Sequence, residues 1–158
     1  MLIAHYIGRH AGDTLSIRAG WAVVRAVQRG PWRRATHVEA IHEVHDDGTV
    51  TIASSTLREG GVRSKRTTLT RGSWLVVDVP SWDVADSIAL LNQTRGSRYD
   101  VRGAVATVLP FRQRPGEWFC TEWVAAPYLR ASGLFGPAQL AAITLSIGVD
   151  VTENIVRG

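Results

Sequence analysis

The feature that most restricts the fold is a ladder of strand signals between Thr36 and Val79. THVEAIHEV (36–44) is closed by HDDG, a hairpin signal, and TVTIASS (49–55) follows at once. Gly60-Gly61 breaks the chain again, and Val62–Leu69 and Trp74–Val79 read as two further strands. A short hairpin turn can only join antiparallel neighbours, so the centre of the molecule is predicted to be an antiparallel sheet. Leu2–Ile7 reads as one more strand. Alternation along THVEAIHEV sets His37, Glu39 and Ile41 on one face, with Val38 and Ala40 on the other.

Outside the ladder the signals are mostly helical. Leu15–Arg29 spaces Trp21, Val24, Val27 and Gln28 roughly at the helical period and is stopped by Gly30-Pro31. Ser81 is the expected N-cap of a helix with Asp83 in its first turn and an apolar stripe of Val84, Ile88 and Leu91, closed by Gly96. Tyr99–Leu109, Trp118–Ala131 (stopped by Gly133) and Pro137–Leu145 are predicted as further helices, with a turn at Pro115-Gly116. Strands first and helices later is an α+β pattern. The 158 residues fit one domain, 1–158, large enough to bury a core without a metal or a disulfide.

Charge and cysteine usage narrow the function. One Cys excludes an internal disulfide and a cysteine-rich zinc site. The net charge is +4, from 17 Arg and a single Lys, Lys65, against 14 acidic residues. The cations are scattered, as Arg33-Arg34, Arg63-Lys65-Arg66, Arg112 and Arg114, with no polybasic run, so nucleic acid is not an expected partner. A mildly basic surface suits anionic targets such as a cell wall or lipid headgroups. MLIAHYIGRHAGD has neither a basic n-region nor a long apolar run, so no signal peptide is expected and synthesis in the cytoplasm is. No stretch approaches the roughly 18 apolar residues of a membrane span.

The lone Cys120 is the residue with the clearest chemistry. It falls in the first turn of a predicted helix after a Pro-Gly turn, where backbone N–H groups favour a thiolate. A buried structural Cys beside Val124 is the bland alternative. A nucleophile needs a base. His42 and His45 are expected near the exposed hairpin turn, while His5 and His10 join no constellation. His37 opens a strand and has Glu39 two residues on, on the same face, where a carboxylate can orient an imidazole and stabilise its cation. A solvent-facing His and Glu on an edge strand is the competing reading.

These residues carry a family resemblance. A His opening a strand (THVEAI) precedes the Cys in chain order, Gly96-Ser97-Arg98-Tyr99-Asp100 and Gly103 lie between them, Phe119-Cys120-Thr121-Glu122 opens a helix, and Pro137 to Leu140 follows. The chain resembles the circularly permuted papain-like cysteine hydrolases, the YiiX-like branch of the NlpC superfamily, from about Thr36 to Leu140. HVEAIHEVHDDG, ASSTLREGGVR and WFCTEW are most similar to small members encoded by phages and prophages. The resemblance implies an antiparallel sheet packed against helices, with the nucleophile Cys120 at a helix N-terminus and His37 as base. Many members use a Glu on the strand after the His strand. Here that strand reads TIASS, so the third residue is left open among Glu39, Ser54 and Ser55.

The implied activity is hydrolysis of an amide in peptidoglycan stem peptides through an acyl-enzyme. A lipid acyl amide or ester is the alternative substrate, and a catalytically inactive virion or tail module the alternative role. Phage virion proteins are then partners and a phage particle a destination. No cofactor or metal is required: His37, His42 and His45 crowd one hairpin, but no carboxylate arrangement completes a site.

Three flanking features carry two readings each. Glu122 is an acid near the site, or a first-turn residue favoured by the helix dipole. Tyr99 lines the cleft, or belongs with Asp100 to the cap of the next helix. Trp118, with Phe119 and Trp123, is a platform for a sugar or acyl group, or packing.

Overall fold

A computed structural model describes residues 1–8, 22, 25, 26, 28, 30–107, 114–129 and 135–156. Among these residues it shows an α+β arrangement in which six strands and five helices can be given bounds. The strands are β1 (Leu2–Tyr6), β2 (His37–Val44), β3 (Val50–Thr56), β4 (Gly61–Thr67), β5 (Trp74–Asp78) and β6 (Val149–Asp150). The helices are α1 (Val84–Thr94), α2 (Val101–Ala106), α3 (Cys120–Ala125), α4 (Pro137–Ile147) and α5 (Thr152–Ile155). Most of the expected Leu15–Arg29 helix lies outside the described residues, as do His10, Arg112 and the predicted ends of two helices at 108–109 and 130–131.

The strands form one sheet in the order β4-β3-β2-β1-β5-β6, antiparallel at every pairing. Its two faces follow from strand alternation. Ile3, Val38, Ala40, Ala53, Leu75 and Val77 face the side on which Trp82, Leu91, Trp123, Val124 and Leu140 of the helical half pack. Ala4, Ile41, Val50, Ile52 and Val76 face the other side, covered by Leu69 and by Val156 beyond α5. The expected division of β2 is therefore present, with Val38 and Ala40 toward the helices and Ile41 away from them. A bulge between Ile41 and Glu43 shifts the β2–β3 register, and His42, on the same face as Val38 and Ala40, meets α1, its Nε2 lying 2.9 Å from Ser87 Oγ. His42 and His45 are both half-buried rather than exposed, and His45 Nε2 bonds Thr51 Oγ1 at 2.8 Å.

Local chemistry moves several helix ends from their predicted positions. Asp83, not Ser81, caps α1: its Oδ1 accepts the Ala85 N–H at 2.9 Å. Asp100 caps α2 by accepting from Gly103 N at 2.8 Å, so that helix starts after Tyr99. Helix α3 is six residues long, far shorter than Trp118–Ala131. Phe119 is its N-cap in extended conformation, and Pro127, which has no N–H to continue the ladder, follows its C-cap Ala126. Among the described residues no helix is long and apolar enough to cross a membrane.

Candidate active site

Cys120 is placed by a relay of backbone contacts that begins at the glycine pair. Gly60 turns the chain at φ +80°, and Gly61 pairs with Arg98 so closely that a side chain at 61 would overlap Ser97 O. This docks 97–99 on the end of β4. Tyr99 then bridges to Trp118 in parallel, and the Trp118 carbonyl accepts from Asp100 N at 2.9 Å and from Ser55 Oγ at 2.5 Å. The residue that begins α3 two positions later is thereby fixed against β3 and β2.

At that end the sheet is open. Pairing between β2 and β3 begins at Ala40 and Ala53, whereas His37 and Val38 are paired with β1. The free edge admits Cys120: its sulfur accepts a hydrogen bond from the Val38 N–H, and the His37 imidazole lies within hydrogen-bonding reach of it. Thr121 Oγ1 is 3.7 Å from Sγ. His37 thus meets a thiol rooted in the helical layer although its strand position faces away from that layer. It does so because it stands at the first residue of β2, where the sheet ends.

The other edge of the imidazole is held by Glu39. His37 Nε2 and Glu39 Oε1 are 2.8 Å apart, which leaves Nδ1 for the sulfur. Glu39 is gripped in turn by Arg63 of β4. Nη1 donates to Oε2 at 2.6 Å and Nη2 donates to Oε1, a two-pronged pair. Arg63 pairs across the ladder with Ser54, and that small side chain lies between it and Glu39, so the guanidinium spans one strand to reach its partner. Glu59 bonds the remaining Arg63 Nε and also accepts from Lys65 Nζ at 2.7 Å.

The charges follow from these partners. Burial pushes the His37 imidazole down, but the charges and hydrogen bonds of Glu39 and Cys120 outweigh it and raise its pKa to about 9. Burial pushes Glu39 up, and the bonds from Arg63 and His37 bring it down to about 2. The Cys120 thiol is raised by burial and lowered by the His37 charge, by its bonds to His37 and Thr121, and by the Val38 N–H, with a net downward shift. The arrangement favours a thiolate beside an imidazolium. Cys120 is 2% exposed and His37 8%, so the pair is largely shielded from water.

The remaining sequence candidates divide cleanly. Ser54 Oγ bonds Ser55 O at 3.4 Å and Ser55 bonds Trp118, so neither orients His37; Glu39 is the residue that does. Tyr99 is half-buried and near enough for the Cys120 charge to act on it: burial first, then Cys120 and Asp100, push its hydroxyl well up. Glu122 accepts the Phe119 N–H, one half of a capping box, and burial together with Asp100 raises it to about 7. Phe119 and Trp123 are core residues, with Trp123 Nε1 donating to Thr94 Oγ1 at 2.9 Å, and Trp118 is half-buried against the same core. Arg63 was not among the expected site residues. Its signal was register: the Gly60-Gly61 turn aligns Arg63 with Ser54, in line with Glu39. Among the described residues no group of three or more His, Cys, Asp or Glu could hold a metal ion.

Comparison with protein-family models, curated proteins and solved structures gave no match for this chain.

Proposed function

We propose that this protein is a thiol hydrolase of the permuted papain-like kind, acting on an amide. The observation that carries the reading is the chain of contacts Arg63–Glu39–His37–Cys120, which supplies a nucleophile, a base and a fixed orienting anion in order. The arrival of the His strand before the Cys helix, on an antiparallel sheet, supports the fold assignment.

The chemistry balances with these groups alone. The Cys120 thiolate adds to the carbonyl carbon, and the oxyanion is met by the N–H of Cys120, which as the first helical residue has no intrahelical acceptor. The C–N bond breaks as the His37 imidazolium gives its proton to the departing nitrogen. Neutral His37 then takes a proton from water, whose oxygen adds to the thioester carbon. The acid leaves, the thiolate returns, and the proton stays on His37. Glu39 holds the imidazole in place throughout.

The substrate we assign is a peptidoglycan stem-peptide amide, with a lipid acyl amide or ester as the alternative for the same machinery. The test is mass analysis of fragments released from purified peptidoglycan, and from N-acyl ethanolamine lipids, by the wild type and by Cys120→Ala. New termini from the wall alone, absent with the variant, bear out the assignment; release from the lipid alone replaces it. The near-complete burial of the thiol favours a further reading, a virion or tail module that has kept the fold without turnover. Release from neither substrate, with Cys120→Ala assembling normally into particles, selects that one.

A further inference from the structure

The sheet face opposite α3 holds a cavity of about 420 Å³, lined by His37 and Glu39 and by Arg58, Glu59, Arg63 and Lys65. That is the size of a small-ligand pocket. Its cations outnumber its carboxylates. Glu39 is already shared between His37 and Arg63, and Glu59 between Arg63 and Lys65. Hydroxyl side chains from 67–73 add neutral donors to the same walls. Cys120 does not line this space. The imidazole stands between the two, in contact with the thiol and forming part of the cavity wall.

That position has a chemical meaning. In amide cleavage the nitrogen leaves with the proton carried by His37, so the departing group passes on the imidazole side of the thiol. We propose that this cavity is the leaving-group subsite, and that it takes an amine bearing an anionic group, a carboxylate or a phosphate. The proposal rests on the hydrolase reading for the role of His37, and it adds the chemical class of what leaves. Lys65 and Arg58 lie on the exposed rim, where a long cation reaches an anion at little cost to the fold.

The test uses three probes on the whole protein labelled with ¹⁵N: triglycine, O-phosphoethanolamine and triglycinamide. The Trp74 indole and the backbone amides of Thr67, Thr68 and Thr70 report on the cavity, and the rate of Cys120 alkylation by iodoacetamide reports on the thiol. At least one anionic probe is expected to shift the cavity signals and slow alkylation, binding about tenfold tighter than triglycinamide, as a charge-assisted contact provides. Preference for triglycine marks a peptide leaving group, and preference for O-phosphoethanolamine a phosphate-bearing one. The Arg58→Gln/Lys65→Gln double variant should lose the preference. Equal binding of triglycinamide, or no shift at the cavity with any probe, overturns the subsite. A reactive, His37-dependent thiol with no anionic preference overturns the subsite alone. Selective anion binding beside an unreactive thiol overturns the hydrolase reading and leaves the anion site standing.

Discussion

His5 and His37 sit on neighbouring antiparallel strands, one register step apart, and point to opposite faces: His5 pairs with Val38, and His37 with Tyr6. Both are buried, at 0% and 8% exposure. His5 Nε2 meets a neutral partner, Thr144 Oγ1 at 2.9 Å, and its Nδ1 is buried with no hydrogen-bond partner among the described residues. Burial alone then governs it and brings its pKa down to about 3. His37 pays the same desolvation but faces a carboxylate on one edge and a thiol on the other, and it moves the opposite way. Burial is thus not what makes a histidine chemically useful here. An ionised partner is, and Glu39 can remain ionised at that depth because Arg63 grips it.

The widest difference should appear in the imidazole titrations themselves. Followed by ¹⁵N NMR, His37 is expected to keep its second proton until about pH 9, while His5 stays neutral down to about pH 3. Two similar curves near the ordinary value of about 6.5 would erase the distinction. Next in size is Arg63→Met, which leaves Glu39 buried without its guanidinium. A loss of about 3 kcal/mol is expected in urea unfolding, with His37 titrating lower than in the wild type. Arg63→Lys should recover part of both, and a loss below about 0.5 kcal/mol would show the pair to be a surface contact.

Acid stability separates the histidines more finely. His5 has a lowered folded pKa, so its contribution is fully present above about 6.5 and is lost as pH falls through about 3. His5→Gln should flatten that part of the profile. His37 runs the other way, present below about 6.5 and lost as pH rises through about 9. Cys120, with a lowered pKa, gains stability as pH rises toward its ordinary value, which works against the loss at His37. A steep stability change confined to the range from about 6.5 to about 9 would mean that one member of the pair does not ionise. The smallest effect is expected at Glu122, whose raised pKa costs stability as pH climbs from 4.5 through about 7. Glu122→Gln should raise the urea midpoint slightly at pH 8 and leave it unchanged at pH 4.

The strands were legible because β2 to β5 combine alternation with turn residues that act locally. The two-residue strand β6 was too short to show any period. Helix ends were less legible, since they are settled by single side chains. Asp83 outcompetes Ser81 as a cap, and Pro127 limits α3 despite the apolar residues beyond it. Within the site, the His37–Glu39 contact was visible as an i, i+2 spacing, and the place of Cys120 at a helix start as a Pro-Gly signal. Arg63 was not visible, because its contact with Glu39 crosses an intervening strand and exists only once the β2–β3 and β3–β4 registers are known. The escape of His37 from the face rule was hidden for a similar reason: it depends on where β3 stops pairing, not on the residues of β2.

The most direct test of a thiolate held by His37 is the rate of Cys120 alkylation by iodoacetamide as a function of pH, in the wild type and in His37→Ala. The wild-type thiol should react with an apparent pKa well below the ordinary value of about 8.5, and His37→Ala should slow it about a hundredfold near pH 6.5, where an unassisted thiol is about 1% ionised. A wild-type thiol that reacts only as the protein unfolds, or one whose profile is the same without His37, would contradict the account.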